Sequence, residues 1–198
     1  MRTAIKSRLC LLLLVALLPG LLSGCSSEKT AVEATGPDWS TLAVMRQVPL
    51  SHATEFSLTE YDQGYALLDI PTSGQFLIVP EGAGLPKGLA EDISALYAPL
   101  DRIYLTATSA MDFFRALDSI GSIRLSGTDV SGWDIAEAKE ALQNGTMIFA
   151  GKYSAPDYEL IFSEKCDLAI ESTMIYHSPE VKEQLEKLGV PVLVERSS

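Results

Sequence analysis

Apolar residues fall along this chain in three different rhythms. Residues 9–18 form an almost unbroken apolar run behind the basic start Arg2, Lys6 and Arg8, and Pro19-Gly20 breaks it. Such a run is too short to span a bilayer comfortably, and the small residues that follow lead to a cysteine where a cleavage site should fall, so residues 1–24 read as a signal peptide. Residues 65–70 and 76–80 are two apolar, β-branched runs separated by Pro71-Thr72-Ser73-Gly74, which predicts a β-hairpin. The glycine cluster from Gly82 to Gly88 predicts a loop, without a phosphate role, because no Gly-Lys-Ser/Thr ending follows.

From residue 101 short apolar runs alternate with helix-period segments, the pattern of a parallel sheet covered by helices. Strands are predicted at 102–106, 123–126, 147–150, 167–171 and 190–195. Between the first two, Ala110, Phe113, Phe114, Leu117 and Ile120 recur at helical spacing, which predicts one face packed on the sheet. Ile135, Ala138 and Leu142 mark a second helix that stops at Asn144-Gly145. Ser154-Ala155-Pro156-Asp157 predicts the start of a short helix with Ser154 as its cap. Ser178-Pro179 opens the last helix, whose buried stripe is Val181, Leu185 and Leu188 and whose end is Gly189.

Composition refines this picture. The chain has 198 residues, 47% hydrophobic and 21% charged, which are globular values. Lys+Arg number 15 against 26 for Asp+Glu; loss of the signal peptide removes three basic groups and no acidic one, and leaves a net of -14. A nucleic-acid partner is not expected, since phosphate binding needs a basic surface. Leu22-Ser23-Gly24-Cys25 resembles the bacterial lipobox, so Cys25 is expected to carry a lipid and anchor the mature protein to the cell membrane on its extracytoplasmic side. Residues 25–45, rich in Ser, Thr, Glu and Ala, read as a lipidated flexible tether. Of three cysteines only Cys166 then remains, in a segment that reads as a buried strand, where a thiol serves as a small hydrophobe.

Catalytic chemistry finds little support. Only His52 and His177 are present, there is no Gly-x-Ser-x-Gly elbow, and no His/Cys cluster has zinc-site spacing. The stretch 145–152 fails as a P-loop, because five residues intervene and Tyr153 stands where Ser or Thr is required. A Cys166–His177 nucleophile pair lacks an activating environment in the sequence. The positive signal is positional. Ligands of open α/β sheets bind outside the carboxyl ends of the strands. That rule selects stretches 106–109, 127–128, 151–154 and 171–173, a rim of hydroxyls, small residues and helix starts, and its candidates are Thr108, Ser109, Thr128, Tyr153, Ser154, Glu171 and Ser172; Tyr176 is a further candidate, able like Tyr153 to stack on or hydrogen-bond an aromatic ligand. Ordinary N-capping competes with a ligand role at each Ser and Thr.

These residues carry a resemblance. Arg102-Ile103-Tyr104-Leu105-Thr106-Ala107-Thr108-Ser109, continuing to Leu117, resembles the first strand, Ser/Thr-rich turn and helix of the periplasmic binding proteins for iron-siderophore, haem and cobalamin uptake. Lys165-Cys166-Asp167-Leu168-Ala169-Ile170 is similar to that family's Lys-Pro-Asp-Leu-Val-Ile strand, and Gly189-Val190-Pro191-Val192-Leu193 to the strand that closes its N-terminal lobe. The resemblance implies an α/β fold with a mostly parallel sheet and helices on both faces over residues 101–198, one lobe of a two-lobed binding protein; the N-terminal β-hairpin and connecting segment at 46–100 are a departure from the family's pattern. It also implies a chain that stops where a second lobe should begin.

The implied function is that of a lipid-anchored, non-enzymatic substrate-binding component of an ABC importer. It would capture a pre-formed iron(III) chelate of siderophore type, without a direct metal ligand or a cofactor, and deliver it to a permease and its ATPase subunit. Cobalamin or haem is the alternative within the family. An exported hydrolase and a non-transport surface scaffold are the alternatives outside it. The family docks on permease arginines through a surface carboxylate of each lobe, for which Glu137 is the candidate here and Asp134 its competitor.

Overall fold

The computed structural model describes residues 34–196. The signal peptide, Cys25 and the start of the expected tether lie outside the described residues. Residues 34–45, expected in the tether, are folded instead. Gly36 N–H donates to Leu85 O and Trp39 N–H to Lys87 O, each at 2.8 Å, and Leu42 is buried. The apolar anchors Trp39 and Leu42 are too sparse to stand out in a stretch of Ser, Thr and Ala, which is why composition alone misses the packing.

The predicted hairpin forms, but as the middle of a larger sheet. Strands β1 (Val44–Gln47), β2 (Ser57–Tyr61), β3 (Ala66–Ile70), β4 (Gly74–Val79) and β5 (Ile93–Tyr97) lie in that order, antiparallel until β5 joins β4 in parallel. Leu67 opposes Leu77 and Leu68 opposes Phe76. Alternate residues face opposite sides of a strand, so each pair serves a different face. Leu77 and Val79 pack with Tyr65 and Leu42 under the loop that carries Leu85, while Phe76 and Leu96 point into the core shared with the second sheet.

The second sheet is wholly parallel. Its strands are β6 (Ile103–Leu105), β7 (Ile123–Ser126), β8 (Ile148–Phe149), β11 (Leu168–Ser172) and β12 (Val192–Glu195), in the order β12-β11-β6-β7-β8. A small antiparallel ribbon, β9 (Gly151–Lys152) with β10 (Ala155–Pro156), follows β8. The helices are α1 (Met111–Ala116), α2 (Ala136–Asn144), α3 (Tyr158–Ser163) and α4 (Pro179–Lys187). Both faces are covered, as the sequence pattern implied. Met111 and Ala138 from α1 and α2 meet Ile103 and Leu105 on one face, together with Phe76 and Leu96. Ile161, Val181 and Leu185 from α3 and α4 meet Tyr104, Ala169 and Val192 on the other. The two sheets are also tied by polar contacts, since Val194 N–H donates to Ser73 Oγ at 2.8 Å.

Two local expectations are corrected. In α1 the buried residues are Met111 and the preceding Ala110, with Phe114 half-buried, whereas Phe113 is 68% and Leu117 76% exposed. Adjacent phenylalanines offer two stripes at helical spacing, and the turn Thr108–Ala110 that leads into the helix selects the one containing Phe114. The cap of α3 is Asp157, whose Oδ1 accepts from Leu160 N–H at 3.0 Å, and Ser154 sits in the turn of the β9–β10 ribbon. That ribbon needs Gly151, where φ is 83° and a Cβ would fall 2.4 Å from Ala155 O. Elsewhere the stops hold: Gly145 takes the left-handed cap after α2, and Pro179 begins α4.

Candidate functional site

The strand order fixes where a ligand can enter. From β6 the chain moves outward to β7 and β8, then crosses back so that β11 lies on the other side of β6, followed by β12. Connections after β6 and after β11 therefore diverge, and a crevice opens between them at the carboxyl ends of the strands. Here lies a cleft of about 420 Å³ lined by Thr106, Thr108, Gly127, Thr128, Asp129, Gly132, Lys152, Tyr153, Ser172 and Met174.

Backbone geometry builds this rim. Thr106 and Ala107 both direct their N–H groups at Ile170 O, at 3.0 and 3.2 Å, so β6 curls over the end of β11. Gly127 donates to Leu105 O at 2.7 Å, and a Cβ at this position would fall 2.8 to 2.9 Å from the Cγ2, Cα and Cβ of Thr106. Only glycine lets β6 and β7 end this close together. Ser126 Oγ donates to Thr128 O at 2.6 Å and accepts from Thr128 N–H at 3.1 Å, while the buried Trp133 donates to Thr128 O at 3.1 Å. The loop that carries Thr128 and Asp129 is thereby held from inside. Asp129 in turn accepts from Ser131 N–H and Oγ at 2.8 and 2.6 Å, and those bonds, more than the nearby Lys152 ammonium, hold its carboxyl below the ordinary range.

Of the candidates drawn from the sequence, Thr108, Thr128, Tyr153 and Ser172 line the cleft. Ser172 Oγ also accepts from Met174 N–H at 3.3 Å, the capping role that competes with a ligand role. Ser109 is turned to Glu195, donating to its Oε1 at 2.6 Å. Tyr176 donates to Thr72 O at 3.1 Å in the β3–β4 turn, and Ser154 is exposed in the ribbon turn; neither lines the cleft. Glu137 and Asp134 are both exposed at the start of α2. Asp129 and Met174 were missed, since each follows a selected stretch by one residue. Thr106 and Lys152 lay inside selected stretches but were not singled out.

Glu171 lies beneath the cleft instead of lining it. It is fully buried, its Oε2 accepts from the Thr106 hydroxyl, and its Oε1 finds no hydrogen-bond partner among the described residues. Burial pushes its carboxyl up to about 7, against the opposing effect of the Thr106 bond. Close by, Tyr104 is fully buried and donates to Gly151 O at 2.8 Å, and burial raises its phenol well above the usual range, with the Glu171 carboxyl adding to the effect. The Cys166 thiol is buried and pushed up to about 12, which keeps it a neutral hydrophobe.

At the amino ends of the strands a second hollow of about 360 Å³ is walled mainly by Ile161, Phe162, Cys166, Leu188 and Val190. It has only Ser163 and Lys165 as polar side chains on its wall, so it lacks the convergent polar groups that orient a ligand. Among the described residues no group of three or more His, Cys, Asp or Glu side chains is placed to hold a metal ion, and no helix is long and apolar enough to cross a membrane. No protein-family model matches the chain, and no curated protein matches it.

Proposed function

We propose that this chain is the lipid-anchored solute-binding component of an ABC importer and that it takes up a pre-formed iron(III) chelate in the cleft at the carboxyl ends of the parallel sheet. The observation that carries the reading is the cleft's place at the divergence between β6 and β11, where open α/β folds bind their ligands. Its lining suits an oxygen-rich chelate. Thr106, Thr108, Thr128 and Ser172 supply hydroxyls, Lys152 a cation, and Tyr153 a ring able to stack on an aromatic ligand. A ligand held this way needs no protein atom in the metal's coordination sphere.

The resemblance of residues 102–117 and 165–170 to the iron-siderophore, haem and cobalamin binding proteins supports the same class, and the lipobox at Cys25 supports delivery at the membrane surface. Glu137, exposed at the start of α2, is the carboxylate proposed to meet a permease arginine, with Asp134 beside it. A hydrolase built on Cys166 and His177 is disfavoured, because the thiol precedes β11 and the imidazole follows it, so the two sit at opposite ends of one strand.

The test is a titration of the full chain, carrying Trp39→Phe so that Trp133 is the sole indole, with ferric citrate, a ferric hydroxamate, a ferric catecholate, haem and cobalamin. Saturable quenching by a ferric chelate is expected. Saturation by haem or cobalamin alone would move the ligand within the class, and no response to any of the five together with turnover of an ester or peptide would overturn the reading.

A further inference from the structure

Glu171 is a carboxyl group with no evident architectural use. Burying a carboxylate with one oxygen unpaired costs free energy, and an apolar side chain of similar size would avoid that cost. Among the described residues its single side-chain bond is to Thr106, which lines the cleft. Glu171 is thus joined to the site through one hydroxyl.

We infer that Thr106 and Glu171 form a proton-coupled contact at the floor of the cleft, so that capture of an anionic, oxygen-rich ligand is accompanied by uptake of one proton onto Glu171. The inference rests on the reading that the cleft takes a solute, and it adds the charge class of that solute. With Glu171 ionised, the Thr106 hydroxyl hydrogen is committed to Oε2, and the lone pairs left for the cleft repel an anionic oxygen. When a proton from water forms an O–H bond on Glu171, that group donates to Thr106 Oγ1, and the threonine hydrogen is released to turn toward the ligand. No electron moves, and the ligand's own bonds are unchanged.

The surrounding charges make Glu171 decisive. Asp129 and Lys152 are the charged residues on the cleft lining, and they offset one another. The state of Glu171 therefore sets whether the site is neutral or negative. Among the described residues the groups that face it bring no cation: β6 presents Tyr104, with the Cys166 thiol beside it; α3 presents Tyr158, with Glu180 of α4 beyond; and β12 opposes it with Val194. Burial without a compensating cation places the carboxyl near 7, where the envelope's ordinary pH range moves it between forms.

The experiment uses ferric citrate as the probe, with the full chain and its Glu171→Gln variant. The glutamine amide donates to Thr106 permanently and so imitates the protonated acid. The ratio of the two affinities at each pH cancels the speciation of the chelate itself. The expected ratio is near one at about pH 6, and the native chain should bind about tenfold more weakly than the variant at about pH 8. Thr106→Val, folded by its amide NMR spectrum, should lose binding at both. A ratio that stays near one at both pH values would overturn the inference while leaving the cleft as a solute site. Absence of ferric citrate binding at every pH, by a native chain that is folded, would overturn the inference, and the reading beneath it would then stand or fall with the other four probes of the fluorescence titration.

Discussion

Trp133 donates its indole N–H to the backbone oxygen of Thr128 at 3.1 Å, which ties the core under α2 to the rim of the cleft. The same indole lies 3.2 Å from Ser126 Oγ, so two polar atoms that position the rim loop are anchored on one ring. A ligand that moves Thr128 must change the environment of this indole. Trp133→Phe removes the bond and some packed volume, but Thr128 O keeps its bond from Ser126. The variant should remain folded and lose about 1–3 kcal/mol in urea unfolding.

Gly127 and Thr106 make a steric prediction. An alanine at 127 would press on the β6 backbone as well as on the threonine side chain. Backbone cannot rotate away, so Gly127→Ala should cost about 1–3 kcal/mol and displace Thr106 from the cleft floor. Equilibrium unfolding checks the first effect, and a weakened ferric citrate titration of the folded fraction checks the second.

Glu171 makes the stability of the chain depend on pH in a direction opposite to that of an ordinary paired carboxylate. Its carboxyl is raised from 4.5 to about 7 on folding. Between those values the native state binds more protons than the unfolded chain, so stability from this group is full at the acid end and falls as pH rises to neutrality. The full effect is on the order of 3 kcal/mol. Thermal unfolding of the native chain, compared with Glu171→Gln across that window, should show the native Tm falling relative to the variant. Parallel curves would contradict the burial.

The two faces of α1 give a paired prediction. Met111 is fully buried and Leu117 is 76% exposed. Met111→Ala should therefore cost about 2–5 kcal/mol, and Leu117→Ala within about 0.5 kcal/mol, in the same denaturation assay.

That pair also shows where sequence reading reaches its limit. The parallel sheet was legible because its strands from Ile103 to Val194 are short, mainly apolar runs set between helix-period segments with sharp stops at Gly145 and Gly189. The face of α1 was not, since Phe113 and Phe114 fit helical stripes equally well and only the entry turn decides between them. β1 escaped notice because this edge strand, Val44–Gln47, is exposed on both faces, and β2 because it is half-buried along its whole length, so neither carries an alternation of burial. β5 escaped because it joins β4 in parallel across the long loop 80–92, so no tight hairpin turn announces the pairing. Within the site, the rule for strand ends found Thr108, Thr128, Tyr153 and Ser172. It could not tell a residue on the cleft wall from one beneath it, as with Glu171, or from one held by a neighbour, as with Ser109 and Glu195. Those distinctions depend on which way a side chain leaves the strand and on what has been packed over it.

The most direct test of the account is calorimetric titration of ferric citrate into the full chain and into a chain carrying Lys152→Ala and Ser172→Ala. Both residues line the cleft, and neither belongs to the hydrophobic core. Saturable binding by the native chain is expected and, in a double variant that stays folded after losing the Ser172 cap, an affinity lower by on the order of tenfold or more. Equal affinity in the two proteins would place the chelate elsewhere on the molecule and contradict the central claim.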